Sequence, residues 1–375
     1  MKLGLCRGAF WGSAAGIVFG QAAYPAVLYA LPRRPLRRTG EDEALPSVNL
    51  IIAAHAEADV IATKVANALA LDYPRELLQV VVACDGSPDD TARLAREAGA
   101  DLVLELPRGG KIRAQDEAVE HSTADIVAFS DANAQWDAGA LRALVAPFAD
   151  PDVAYVCGQV TFVNPGGGSN QEGLYWRYEM WVRQAESDRW SVTGGNGAIY
   201  ATRRSDYFVV DAVMGHDLSF PFNFVKRGRR AVYAADARAS EKMVPTIEGE
   251  FARKRRMMSH AWPIVLRGGL LDPRGFPPSY LFMIAAHRWL RYAAPFLHLV
   301  ALVTSARLMR RGRPYALALA AQSALLAGAA AGPRAGRAGL VSRYYVLTSA
   351  SIAAGLYDHL RHGTEAGWSA PEGTR

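Results

Sequence analysis

Cysteine is scarce in this 375-residue chain: there are three, Cys6, Cys84 and Cys157. They form no Cys-x-x-Cys pair, which excludes a disulfide framework and a zinc ribbon. Cys84 falls in an apolar run, where a small buried thiol is expected. The eight histidines are scattered, without the spacing of zinc ligands. Acidic residues almost vanish towards the C-terminus, where Asp358 alone falls between Pro277 and Arg361. No internal repeat marks a solenoid.

Apolar residues and arginine are abundant instead. Hydrophobic residues make up 50% of the chain, which carries a net charge of +6. Mean hydropathy is +0.00 and the pI about 9.2, an apolar balance too high for a wholly soluble protein. The arginines border the apolar stretches: Arg33, Arg34, Arg37 and Arg38, then Arg307, Arg310, Arg311 and Arg313. That placement points to membrane lipids as partners and argues against nucleic acid. Phe10 to Leu31 has the length a bilayer needs. A signal peptide is the rival reading, but no small-residue cleavage site follows. The arginine cluster after the segment outweighs Lys2 and Arg7 before it, which puts the following residues in the cytoplasm. The expected organisation is a transmembrane helix with a basic border over 1–38, a polar linker from Thr39 to Pro46 and a globular domain over 46–275. An interfacial helix bearing Arg288 and Arg291, followed by membrane helices, fills 276–362, and a polar tail fills 363–375. The apolar stretches there run over about 293–309, 314–331 and 344–360, the middle one Ala-rich and marginal, and their charge bias gives no consistent topology.

From Val48 the chain alternates strand and helix. Val48–Ala54, Val80–Ala83, Leu102–Leu104 and Ile126–Phe129 read as strands. Asp59–Leu71, Thr91–Ala98 and Lys111–Glu120 read as helices. This rhythm predicts an α/β fold with a doubly wound, mostly parallel sheet. Gly166–Asn170 reads as a flexible loop, and Gln171–Trp190 as a helix whose aromatic residues pack a core.

Three acids carry the chemical signal. Asp85 ends the run Gln79–Cys84, Asp131 ends Asp125–Ser130, and Asp217 stands in Gly215-His216-Asp217. In open α/β sheets ligands bind at the carboxyl ends of the strands. Two carboxylates there, with a third acid and the cluster Arg253-Lys254-Arg255-Arg256 beyond, suit a metal-assisted reaction on a nucleotide diphosphate. Asp85 before Gly86 is also a good turn former, and Asp131 a good helix cap.

Several segments, taken in order, resemble one family. They are Asn49–Glu57, Asp85-Gly86-Ser87-Pro88-Asp89-Asp90-Thr91, Gly110-Lys111, Ser130–Ala134, Thr193–Tyr200 and Gly215-His216-Asp217. Together they resemble the family 2 glycosyltransferases of GT-A fold, in their membrane-bound branch, over roughly residues 46–275. The resemblance implies an α/β GT-A domain, a Mg²⁺ or Mn²⁺ ion and a nucleotide-sugar donor, with a UDP-sugar favoured. It implies donor contacts from Ala53, Glu57, Asp85, Lys111, Arg253 and Arg256, and a metal held by Asp131 with Asn133. It places Gly195, Asn196 and His216 on the acceptor side and makes Asp217 the catalytic base of an inverting transfer. Asn133 stands where the second acid of an Asp-x-Asp pair is usual, and His216 where an acid is usual. Arg253 and Met257 replace the Gln and Trp of the motif Gln-x-x-Arg-Trp found in processive synthases, which points to single addition. The expected acceptor is lipid-linked or a glycan. A processive polysaccharide synthase and a catalytically silent membrane assembly subunit stay open as alternatives.

Overall fold

The computed structural model describes residues 3–37, 44–163, 172–242 and 247–367. The apolar run after Ser47 forms β1 (Val48–Ala54), buried along nearly its whole length, as a strand covered on both faces must be. β2 (Leu78–Asp85), β3 (Leu102–Leu106) and β4 (Ile126–Asp131) follow, each after a short helix; the helix before β4 spans Lys111–Glu120. Alternate side chains feed two core layers. Leu50, Ile52, Val80 and Val82 point to one side, and Ile51, Val81, Val127 and Phe129 to the other.

Four more strands complete the sheet: β5 (Gln135–Trp136), β6 (Val153–Val163), β7 (Ile199–Arg203) and β8 (Arg230–Lys242). The order is β3-β2-β1-β4-β7-β6-β8-β5. β1 pairs in parallel with β2 and β4, and β6 with β8, whereas β7 runs antiparallel to both β4 and β6, and β5 antiparallel to β8. The sheet is therefore mostly parallel, as expected, with antiparallel members that the βαβ rhythm did not announce. The expected loop Gly166–Asn170 lies outside the described residues. The aromatic helix runs from Glu172 to Arg189, and Trp176 donates from its indole to the Val160 carbonyl at 2.6 Å.

Three helical stretches are long and apolar enough to cross a membrane: Leu3–Ala30, Pro278–Arg311 and Arg313–His362, the last interrupted by a tight turn at Gly332–Ala335. A buried polar knot fastens the first two to the sheet domain. Glu186 accepts from the Tyr24 hydroxyl at 2.7 Å and from the Thr193 amide at 3.0 Å, and it pairs with His287 at 2.7 Å. Arg288 and Arg291, expected to reach lipid phosphates, turn inward instead. Arg288 donates to the Thr193 hydroxyl at 2.9 Å and Arg291 pairs with Glu179. Glu179 offers Arg291 a charge-assisted partner inside the protein, and Thr193 offers Arg288 its carbonyl and hydroxyl oxygens.

Candidate active site

A cavity of about 500 Å³ opens at the carboxyl ends of β1, β2 and β4. Ala53, Glu57, Asp85, Lys111, Asp131 and Asn133 line one wall. Gly195, Asp217 and Arg288 line the other, and Tyr292, Ala294 and Tyr345 of the apolar helices close the side beyond them.

Asp85 lies at the end of β2 and is 3% exposed. Its carboxylate accepts from the amides of Gly109 at 2.6 Å and Gly110 at 3.0 Å, and from Arg108 Nη1 at 2.7 Å. Asp85, expected to contact the donor, lines the cavity and also holds the turn Arg108–Gly110 in place. Gly110 has φ +94° with the Ala366 carbonyl against it, a position open only to glycine. The turn delivers Lys111 to a helix N-terminus, where its ammonium pairs with Asp131 and lies 3.4 Å from the Gly197 carbonyl. Nearby, Ala56 takes φ 53°, a strained value for a side-chain-bearing residue, in the loop that follows β1. Its amide is held by the Ser87 hydroxyl at 3.2 Å.

Asp131 and Asn133 face the cavity together at the end of β4. A carboxylate and an amide carbonyl are hard oxygen donors of the kind Mg²⁺ and Mn²⁺ take. Among the described residues no three His, Cys, Asp or Glu side chains converge to form a closed cage. The donor set thus fits a cation that keeps positions open for phosphate oxygens. Beneath it Lys64, fully buried, donates to the Ala134 carbonyl at 2.7 Å and fixes the turn after Asp131. Burial lowers the Lys64 ammonium to about 7, against the pull of Asp131 and Glu241.

Asp217 sits in the first turn of the helix His216–Lys226. Its carbonyl accepts from the Gly195 amide at 2.6 Å, which ties the glycine loop to the helix. Burial raises its carboxyl above the ordinary value, while Lys111 and the Leu218 amide oppose the shift. The result is a carboxylate with enhanced basicity facing the cavity. His216, expected on the acceptor side, lines the cavity, and its ring is also packed into the aromatic core. It stacks on Phe220 with centroids 3.9 Å apart and meets the Tyr200 hydroxyl at 2.9 Å. Burial, with Lys111, holds its pKa well below the usual imidazole value, so it stays neutral and leaves the charge of Asp217 alone. Asn196 also lines the cavity, and it is held in place: its amide donates to the Gly158 carbonyl at 2.6 Å and its oxygen accepts from the Ile199 amide at 2.9 Å. Gly195 passes so close over the Tyr155 hydroxyl that a β-carbon has no room.

Arg253 and Arg256 project from the helix Ile247–Leu266 and line the cavity with Met257. Arg253 pairs with Glu250 through two 2.8 Å bonds. Burial, then the charge of Arg253, pulls the Arg256 pKa down. Sequence reading missed Lys64, Glu241 and Arg183, which donates to the Gly195 carbonyl at 2.9 Å, and it assigned Arg288 to an interfacial helix rather than to the cavity wall. Lys64 reads as one more helix-surface lysine, and Glu241 stands in a strand hidden by alternating charges.

The sequence pattern described as glycosyl transferase family 2 matches residues 49–208. The glycosyltransferase AglE of Haloferax volcanii is 29% identical over 150 residues, 39% of this chain and 49% of that protein. The chain thus matches about half the length of that relative. The mannosyltransferase PcManGT of Pyrobaculum calidifontis, solved in complex with GDP-Man and Mn²⁺, superposes with a TM-score of 0.71 at 24% identity, over 95% of this chain and 99% of its own. Residues 49–208 thus carry the glycosyl transferase family 2 pattern, and the sheet order and the superposition on PcManGT show a GT-A fold.

Proposed function

We propose that this glycosyltransferase is a single-addition, inverting enzyme that works at the cytoplasmic face of a membrane on a lipid-linked acceptor. The observation that carries the reading is the layout of the cavity: Asp131 on the sheet wall, Asp217 on the other, and apolar helices closing the side beyond Asp217. A nucleotide sugar lying on the sheet wall presents its anomeric carbon towards Asp217. The Asp217 carboxylate takes the proton of the acceptor hydroxyl as that oxygen bonds to the anomeric carbon, and the bond from that carbon to the diphosphate oxygen breaks on the opposite side. Attack opposite the leaving group inverts the configuration. Lys111, Arg253 and Arg256 supply positive charge for the departing diphosphate. A Mg²⁺ or Mn²⁺ ion held by Asp131 and Asn133 would offset the charge on the diphosphate oxygens.

Met257 supports single addition, since it stands where the processive motif carries its Trp, beside Arg253 and Arg256 in the cavity wall. The domain over 46–275 would face the cytoplasm, tethered by helices on both sides. PcManGT was solved with GDP-Man, so a GDP-sugar belongs in the donor panel beside the favoured UDP-sugar. The test is transfer by the full chain in lipid nanodiscs, with UDP-, GDP- and dTDP-sugars against polyprenyl-linked and free-glycan acceptors. One sugar added to a lipid-linked acceptor is expected. Transfer only to free glycan, or a ladder of long products, would contradict the reading.

A further inference from the structure

The metal-facing motif is one acid short, because Asn133 stands two residues after Asp131. The fold brings another carboxylate to the same place from far along the chain. β5 and β8 run antiparallel, with Trp136 opposite Ala239 and Gln135 opposite Ser240. Continuing that register, Glu241 of β8 runs back past Ala134 towards Asn133. On its other side Glu241 pairs with Phe162 of β6, and both residues line the cavity with Asp131 and Asn133. Lys64 grips the Ala134 carbonyl at 2.7 Å from below and sets the height of this turn against β8. Glu241 therefore faces the cavity from a rigid strand in a sheet.

The carboxylate of Glu241 is also unspent. Asp85 is consumed by the Arg108–Gly110 turn, Glu250 by Arg253 and Lys254, and Glu179 by Arg291. Among the described residues, the Glu241 carboxylate makes no direct hydrogen bond or ion pair, and Lys111, Arg253 and Lys64 act on it through their charge alone. Glu241 and Asp131 repel each other, and these three side chains offset that repulsion from nearby without bonding the Glu241 oxygens, which stay open to a cation. We propose that Glu241 is the second carboxylate ligand of the divalent cation, completing from β8 the site that Asp131 and Asn133 open at the end of β4. Two carboxylates and one amide oxygen leave about half of an octahedral shell for donor oxygens and water. The inference rests on the reading above that a divalent cation accompanies the donor.

The test is Mn²⁺ binding, read by electron paramagnetic resonance of free Mn²⁺ in titrations of the detergent-solubilised full chain, with and without UDP or GDP. Glu241→Gln should weaken Mn²⁺ binding roughly tenfold or more, since even an outer partner of a ligand costs that much. Asp131→Asn should weaken it at least as far. Glu241→Asp, which keeps a carboxylate on a shorter arm, should fall between wild type and Gln and serves as the second variant if Gln unfolds. The exposed Asp236→Asn should bind as wild type does. Wild-type Mn²⁺ affinity in both Glu241 variants, with loss in Asp131→Asn, would overturn the assignment of Glu241 and leave the metal reading standing. Failure of the wild-type chain to bind Mn²⁺ in any nucleotide complex would overturn both.

Discussion

The Asp85 geometry makes a prediction that separates shaping the pocket from touching the nucleotide. Asp85 accepts from two backbone amides and from Arg108 while 3% exposed. In Asp85→Asn the carbonyl oxygen can still serve the Gly109 and Gly110 amides, but an NH₂ group then faces Arg108. One charge-assisted bond is lost and two donors oppose each other. A hydrogen bond to a charged group contributes about 1.5–3 kcal/mol. If ordering the turn is required for donor binding, nucleotide affinity should fall roughly 10- to 150-fold, at 1.36 kcal/mol per tenfold. Because the loss comes through the turn and Lys111, it should be the same for UDP, GDP and dTDP. Arg108→Met should reproduce most of it, and the double variant should be little worse than either single one. Isothermal titration of each variant with each nucleotide measures this. A loss confined to one base, or additive losses in the double variant, would show that Asp85 meets the nucleotide directly and would refute the reasoning.

Other consequences follow from single contacts. Burial raises the Asp217 pKa, and only the deprotonated form accepts a proton, so kcat/KM should fall as pH drops through a value above the usual carboxylate range; a pH profile without that acid limb would contradict the assignment. Gly195→Ala should cost about 1–3 kcal/mol of stability by overpacking against Tyr155. Tyr155→Phe should recover much of it in chemical denaturation, because among the described residues that buried hydroxyl has no partner. The Arg255–Asp358 pair joins the Ile247–Leu266 helix to the last helix through two 2.6 Å bonds but is partly exposed. Asp358→Asn should therefore lower stability by no more than about 1 kcal/mol, and a larger loss would show that this pair governs the docking of the two helices. A topology reporter placed near Ser47 should be active only on the cytoplasmic side.

The sheet's first half was legible because each of its strands is a short apolar run closed by a polar turn. β1 and the helix Lys111–Glu120 stand where the sequence places them. β6, β7 and β8 were not foreseen. β8 alternates buried apolar residues with Arg, Asp, Glu and Lys, and such alternation on a half-covered strand looks like a surface segment. Asp131 and Asp217 line one cavity although 86 residues separate them, a proximity that strand order alone creates. The environment of Asp85 was illegible because its donors come from a turn more than twenty residues on. His216 and Asp217 both border the cavity, yet the stacking of His216 on Phe220 depends on a helix and core that the motif does not reveal. The inward turn of Arg288 and Arg291 depends on Glu179, Glu186 and Thr193, which share a helix and loop remembered in sequence only for their aromatic and glycine residues.

The central claim is that Asp217 activates the acceptor across the cavity from a donor held at Asp131. Comparing wild type with Asp217→Asn in a single experiment tests it most directly, by following transfer with a donor of defined anomeric configuration and assigning the product by proton NMR. The account predicts that Asp217→Asn loses transfer about 10²-fold or more, keeps its donor affinity, and that the wild-type product carries the configuration opposite to the donor's. Near-normal transfer by the variant, or a product that retains the donor's configuration, would contradict it.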